Sequence, residues 1–229
     1  MRNGGLFWII SAIVVGAVGY LIFNSFNRPV PGELVEDRGR KHILDIAESS
    51  YSSHPPTSGD HFPIWAKKGV YDRVISEGYL IHSLEHGYVV VHYDCTKKFS
   101  SFHLPFSIFV RAHEGVDDET ISTESAKPLT RMNIPVTAGM SFFTPENPPA
   151  VEVELPKEFE SEECKQLVEN LREVSKVAER VVVVPHPGLD NPIILTAWNR
   201  MVKLDRIDKN KMIEFIKAWH NRGPEKTVE

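Results

Sequence analysis

Residues Ile81 to Tyr93 read I-H-S-L-E-H-G-Y-V-V-V-H-Y. Two histidines, His82 and His86, stand four apart, with Glu85 beside the second and Gly87 directly after it. On a helix, positions i and i+4 share one face, and two imidazoles placed so can bind one tetrahedral ion. On a strand the same pair would lie ~13 Å apart at ~3.3 Å per residue, too far for a common metal. Shared metal chemistry therefore requires a helical turn over Leu80 to His86. Gly87 suits its end, because glycine takes a left-handed cap without steric penalty. The segment H-S-L-E-H also fits the inverted zinc-peptidase signature H-x-x-E-H, in which Glu85 would act as the catalytic base. That signature normally occupies a long helix, and no long helix fits ahead of Tyr88.

A histidine-based metal site is the better-supported chemistry. The stretch Tyr51 to Trp65, Y-S-S-H-P-P-T-S-G-D-H-F-P-I-W, is too rich in proline and glycine for regular structure. Ring constraints lower the entropy lost when such a loop is fixed, so it can hold His61 as a third imidazole beside His82 and His86. His54, His92 and His186 are spare candidates. Three imidazoles suit zinc or copper, with Glu85 either orienting a ligand N–H or binding the ion itself. The competing reading makes His82 and His86 structural, packing the loop onto a sheet. His92, inside a strand, reads as structural; His42, His103, His113 and His220 read as surface histidines.

The elements that would position these residues follow from periodicity. Consecutive valines from Val89 to Val91 suit a strand covered on both faces, and Val181 to Val184 and Ile193 to Trp198 are two more. Glu162 to Arg180 has helical spacing, as does Asp208 to Trp219 with Asp208 at its N-cap. Lys41 to Glu48 reads as a short amphipathic helix. The order strand, helix, strand, strand, helix predicts an α/β or α+β domain around a single sheet, on a plan compatible with thioredoxin-like folds but lacking their redox motif. Residues 96–160 have a different texture, with short β-like runs at Phe106 to Val110, Ile134 to Thr137, Ser141 to Thr144 and Val151 to Leu155. They read as an inserted β-rich lobe.

At the N-terminus, Leu6 to Phe23 is uncharged and apolar, and as a helix it is about long enough to cross ~30 Å of hydrocarbon. Trp8 and Tyr20 sit near its ends, and Arg2 precedes it. No small-x-small cleavage pattern follows, so the expectation is an uncleaved signal-anchor over residues 1–26 and a tether over 27–40. The domain of residues 41–229 would then lie outside the cytoplasm of a single-pass membrane protein whose N-terminus is cytoplasmic. There a disulfide between Cys95 and Cys164 would persist, contributing ~3–4 kcal/mol for so long a loop. A redox pair is the alternative, without a C-x-x-C context to support it. The 229 residues, 41% hydrophobic, are enough for one moderate domain, and the net charge of -5 without a Lys/Arg cluster excludes nucleic acid as a partner.

Several motifs occur together: P-P-T-S-G-x-H-x-P (Pro55 to Pro63), G-V-Y (Gly69 to Tyr71), H-x-L-E-H-G (His82 to Gly87), the V-V-V-x-Y strand, and P-G-L-x-x-P-I-x-x-T-A-W-x-R (Pro187 to Arg200). This set resembles the uncharacterised domain-of-unknown-function family thirty-one-oh-five, whose members are mostly bacterial and archaeal and usually membrane-anchored. The resemblance covers Tyr51 to Cys95 and Glu163 to about Trp219, not the lobe. It implies no activity, but it places His61, His82, Glu85 and His86 in one motif set, with Thr196, Trp198 and Arg200 in another. Trp198 with Arg200 forms either a stacked anion clamp or ordinary packing. Three functions are compatible with the sequence: an accessory or metal-handling module, in an envelope complex for instance; a metal-dependent hydrolase with Glu85 as base; or a structural subunit of a membrane assembly.

Overall fold

The computed structural model describes residues 4–26, 29–97, 144–151 and 153–227. They fall into two units, Met1–Pro31 and Gly32–Glu229. The first contains helix α1 (Gly4–Phe26), uncharged in its first and last turns. Its side chains are described for residues 8–20 and 23. Among the described residues no helix is long and apolar enough to cross a membrane, so the transmembrane expectation for residues 1–26 has no support in the fold.

The second unit is mixed α/β, built on one six-stranded sheet in the order β1-β6-β5-β3-β4-β2. The strands are β1 (Glu33–Leu34), β2 (Gly69–Val70), β3 (Val89–Tyr93), β4 (Val181–Pro185), β5 (Ile193–Ala197) and β6 (Arg200–Leu204), accompanied by α2 (Glu77–Glu85), α3 (Glu162–Ser175) and α4 (Lys209–Trp219). β3 and β4 run parallel, Val90 opposite Val182, with α3 in the crossover between them. β5 and β6 continue the sheet antiparallel. The valine runs are buried along their whole length because both faces are covered. Val89, Val91 and Val183 pack with Leu171, Met212 and Phe215 of α3 and α4; Val90, Val182 and Val184 pack with Phe62, Trp65, Leu80 and Leu84 of the proline-rich loop and α2.

The structure departs from the sequence reading in four places. Lys41 to Glu48 is not helical; His42 instead makes a one-residue bridge to His61. Within the expected tether of residues 27–40 the second unit begins at Gly32, and Glu33 and Leu34 pair with Met201 and Arg200 at the sheet edge. That pairing partner, β6, buries Met201 and Leu204 and leaves Arg200, Val202 and Lys203 partly or fully accessible, without strict alternation, and it stands between two stronger signals. Of the expected lobe strands, Phe106 to Val110, Ile134 to Thr137 and Ser141 to Phe143 lie outside the described residues, and the described part of Val151 to Leu155 is not a strand. Val151 donates one bond to the Val74 carbonyl and pairs no further with the sheet.

Helix α2 carries the residues of chemical interest, and all nine of its residues are buried. A buried helix must satisfy its terminal backbone groups inside the protein. Ser76 caps the N-terminus, its hydroxyl accepting from the Gly78 amide. At the other end Tyr88 N–H donates to the Ser83 carbonyl and Gly87 N–H to that of Leu84, with Gly87 at φ +78. These are the two bonds of a Schellman cap. The remaining carbonyls are met from outside: Glu225 N–H donates to Glu85 at 3.1 Å, Asn221 N–H to Gly87 at 2.8 Å, and the Arg180 guanidinium to His86 at 2.7 Å. A methyl group at Gly223 would collide with the Glu85 carbonyl and the Gly87 amide.

Two expected outcomes follow from this packing. Gly223→Ala forces the C-terminal segment off α2 and lowers stability by about 1–3 kcal/mol in chemical denaturation; an unchanged midpoint would mean that the segment does not dock there. Cys95 and Cys164 sit as a disulfide with their Cα atoms 5.6 Å apart. Replacing both with serine should lower unfolding free energy by about 3–4 kcal/mol, and the wild type measured under reducing conditions should match the double variant.

Candidate metal centre

The proline-rich loop is fixed from several sides before its histidine is considered. Ile43 N–H donates to the His61 carbonyl at 2.8 Å and His61 N–H to that of Lys41 at 3.0 Å, while the Tyr51 hydroxyl donates to the Asp60 carbonyl. Ala66 N–H donates to the Ser83 hydroxyl of α2, and Phe62 N–H to the Gly78 carbonyl. The loop thereby brings His61 over the last turn of α2.

Four side chains converge there. One ligand atom each from His42, His61, His82 and Glu85 lies within 4.8 Å of all the others. Glu85 Oε2 is 2.9 Å from His61 Nε2, 3.4 Å from His42 Nε2 and 3.9 Å from His82 Nε2. Ligand atoms bound to one tetrahedral ion at ~2.0–2.1 Å stand ~3.3 Å apart, so these separations bracket the required value. His61, His82 and Glu85 are buried, whereas the side chains of His42 and nearby Arg40 are 46% and 56% exposed. The group opens to solvent on that side alone among its members.

Hydrogen bonding orients two of the rings. His61 Nδ1–H donates to the Gly59 carbonyl at 2.7 Å, and His82 Nδ1–H donates to the Phe62 carbonyl at 2.6 Å. With Nδ1–H committed to a carbonyl, Nε2 is the nitrogen left to face an ion, and its lone pair is offered once any proton shared with Glu85 is given up. Both Nε2 atoms face the Glu85 carboxylate. Burial, reinforced by His61, His86 and His42, pushes His82 down to about 2. For Glu85, burial pushes the carboxyl up, but the hydrogen bond from His61 and the charges of His61 and His42 outweigh it and leave it below its ordinary range. Lone pairs and a carboxylate aimed at one point form a site for a cation.

His82, Glu85 and His61 are thus brought together, with Glu85 and His82 one turn apart on a helix, as the metal chemistry required. His86 lies outside the converging group. It forms the helix C-cap, and its ring packs at a tilt against those of His82 (4.6 Å between centroids) and Trp65 (4.3 Å). It lines a separate cleft of about 300 Å³ with Arg180 and Asn221. His42 takes its place, a residue the sequence offered as an ordinary surface histidine. Nothing local to His42 signals this role; it depends on a single bridge to His61 across nineteen residues of chain. Arg200 stacks on Trp219 at 4.7 Å, not on Trp198, whose ring instead stands edge-on to His61 at 6.4 Å. The anion clamp is therefore absent.

A second set, His54, Glu77 and His186, gathers at the opposite end of α2. His186 Nε2 is 3.1 Å from Glu77 Oε1, and His92 Nε2 is 3.0 Å from the Thr196 hydroxyl beside them. The sequence marked His54, His92 and His186 as spare candidates; Glu77 carried no signal beyond its place in the first turn of a helix.

No curated protein and no solved structure matches this chain. A family model does, over residues 42–103 and 158–229, leaving out most of the expected lobe and including every member of both clusters. The chain belongs to the family described as Protein of unknown function (DUF3105).

Proposed function

We propose that His42, His61, His82 and Glu85 hold one transition-metal ion, zinc or copper, and that the protein serves as an accessory or metal-handling module. The observation that carries this reading is the pair of Nδ1–H bonds to Gly59 and Phe62, which turns two buried Nε2 atoms toward the Glu85 carboxylate. Glu85 Oε2 lies at a fourth ligand's distance from all three nitrogens. A closed set of four donors is the pattern of an ion that is held, whereas hydrolytic ions keep a position open for water. That favours the accessory role over a hydrolase with Glu85 as base. The partly exposed His42 is then the ligand through which the ion enters and leaves.

The βαβ crossover of β3, α3 and β4, followed by the β5–β6 hairpin and α4, is read as a thioredoxin-like plan from which the paired-cysteine redox motif is missing. Membrane anchoring is part of the same proposal and rests on the sequence run Leu6 to Phe23. With an N-terminal anchor the metal-binding unit faces away from the cytoplasm, where it would serve an envelope complex.

Elemental analysis of the full chain in detergent tests the metal. His61→Ala and His82→Ala should each lose one ion per chain relative to wild type, and His86→Ala should keep it; identical metal contents across all four proteins would end the proposal. The ion at a hundred times its Kd should raise stability by about 2.7 kcal/mol over the chelator-treated form. For the anchor, the full chain should stay with carbonate-washed membranes and a variant lacking residues 1–26 should not. Recovery of both in the soluble fraction would remove the anchoring role.

A further inference from the structure

We infer that His54, Glu77 and His186 form a second metal site, separate from the first and specific for a divalent cation of the zinc class. Three observations lead there. One ligand atom from each residue lies within 4.8 Å of the other two, close enough for the three to be drawn onto one ion. Glu77 is 1% exposed, and while its Oε1 faces His186 at 3.1 Å, its Oε2 is buried without a hydrogen-bond partner among the described residues. A buried carboxylate oxygen left unmatched is destabilising, and a cation is the partner that removes the penalty. His186 is 2% exposed and its Nδ1 likewise has no partner among the described residues. The third residue, His54, hydrogen-bonds to the backbone of Gly188, which orients its ring as carbonyl bonds orient His61 and His82.

The construction repeats that of the first site. In both, the proline-rich loop supplies an imidazole, His54 or His61, and α2 supplies a carboxylate, Glu77 in its first turn or Glu85 in its last. At 1.5 Å per residue those carboxylates are ~12 Å apart along the helix, so the two ions would be distinct and not a bridged pair. Two nitrogens and a carboxylate oxygen form a borderline donor set of the kind zinc accepts. His54 is the least buried of the three, which gives the ion its way in.

The test is the zinc content of the full chain in detergent, stripped with chelator, reloaded with zinc and freed of excess metal. Glu77→Gln preserves shape, and its amide oxygen can still accept from His186, so the fold should survive, as thermal unfolding of the metal-free proteins would verify. The expected result is one zinc fewer per chain in Glu77→Gln than in wild type, one fewer in His82→Ala, and two fewer in the double variant. Equal zinc in Glu77→Gln and wild type overturns the second site, even where His82→Ala still loses an ion and the first site stands. Loss in Glu77→Gln with no loss in His82→Ala upholds the second site and removes the first. Should Glu77→Gln fail to fold, His54→Gln at the outer edge of the group reads the same stoichiometry.

Discussion

A buried segment without regular structure has no ladder in which to place its backbone polar groups, and each must find a partner inside the protein. The proline-rich loop is such a segment: residues 55–59, 61–62 and 64–66 are all buried. Its partners come largely from α2. The Phe62 amide bonds to the Gly78 carbonyl, the Phe62 carbonyl to the His82 ring, and the Ala66 amide and carbonyl both to the Ser83 hydroxyl. Loop and helix are therefore one polar assembly laid on the sheet, and neither has a defined position without the other. This explains why α2 tolerates complete burial despite containing Glu77, His82, Ser83 and Glu85.

The same bonds decide the chemistry. An imidazole used to satisfy a loop carbonyl commits Nδ1–H, and only Nε2 is left to meet what lies beyond. In His61 and His82 that nitrogen faces the Glu85 carboxylate. The convergence of these side chains is consequently produced by the same bonds that pack the proline-rich loop. Preorganisation is built in, because the rings are held by the fold before any ion arrives.

What the sequence disclosed follows the range of the interactions involved. The valine runs, α3, α4 and the glycine stop after His86 were legible because each is a local pattern of burial or backbone conformation. His61 and Glu85 were legible because proline restriction and helical spacing constrain where those side chains can go. His42 and Glu77 were not, since their roles depend on contacts across the tertiary fold: a lone bridge to the loop for one, a strand-exit histidine for the other. His86 misled for a specific reason. At the i+4 position it satisfies the spacing rule, but as the C-cap it has left the helical path, with ψ 12, and its ring packs at a tilt against Trp65. Spacing rules hold within a helix and fail at its last residue.

The disulfide has a further meaning when set beside the two stretches that the family model matches. Cys95 and Cys164 stand close to where those stretches break off, near residues 103 and 158, and hold the two chain ends 5.6 Å apart. The sheet and α3 therefore experience a fixed boundary, whatever polypeptide runs between the sulfurs. Because loop-closure entropy grows only with the logarithm of length, the intervening chain can lengthen, shorten or change content at little expense to the rest. The disulfide is thus the point at which a change in the length of that chain is borne, on the α3 side of the sheet and not on the side of α2.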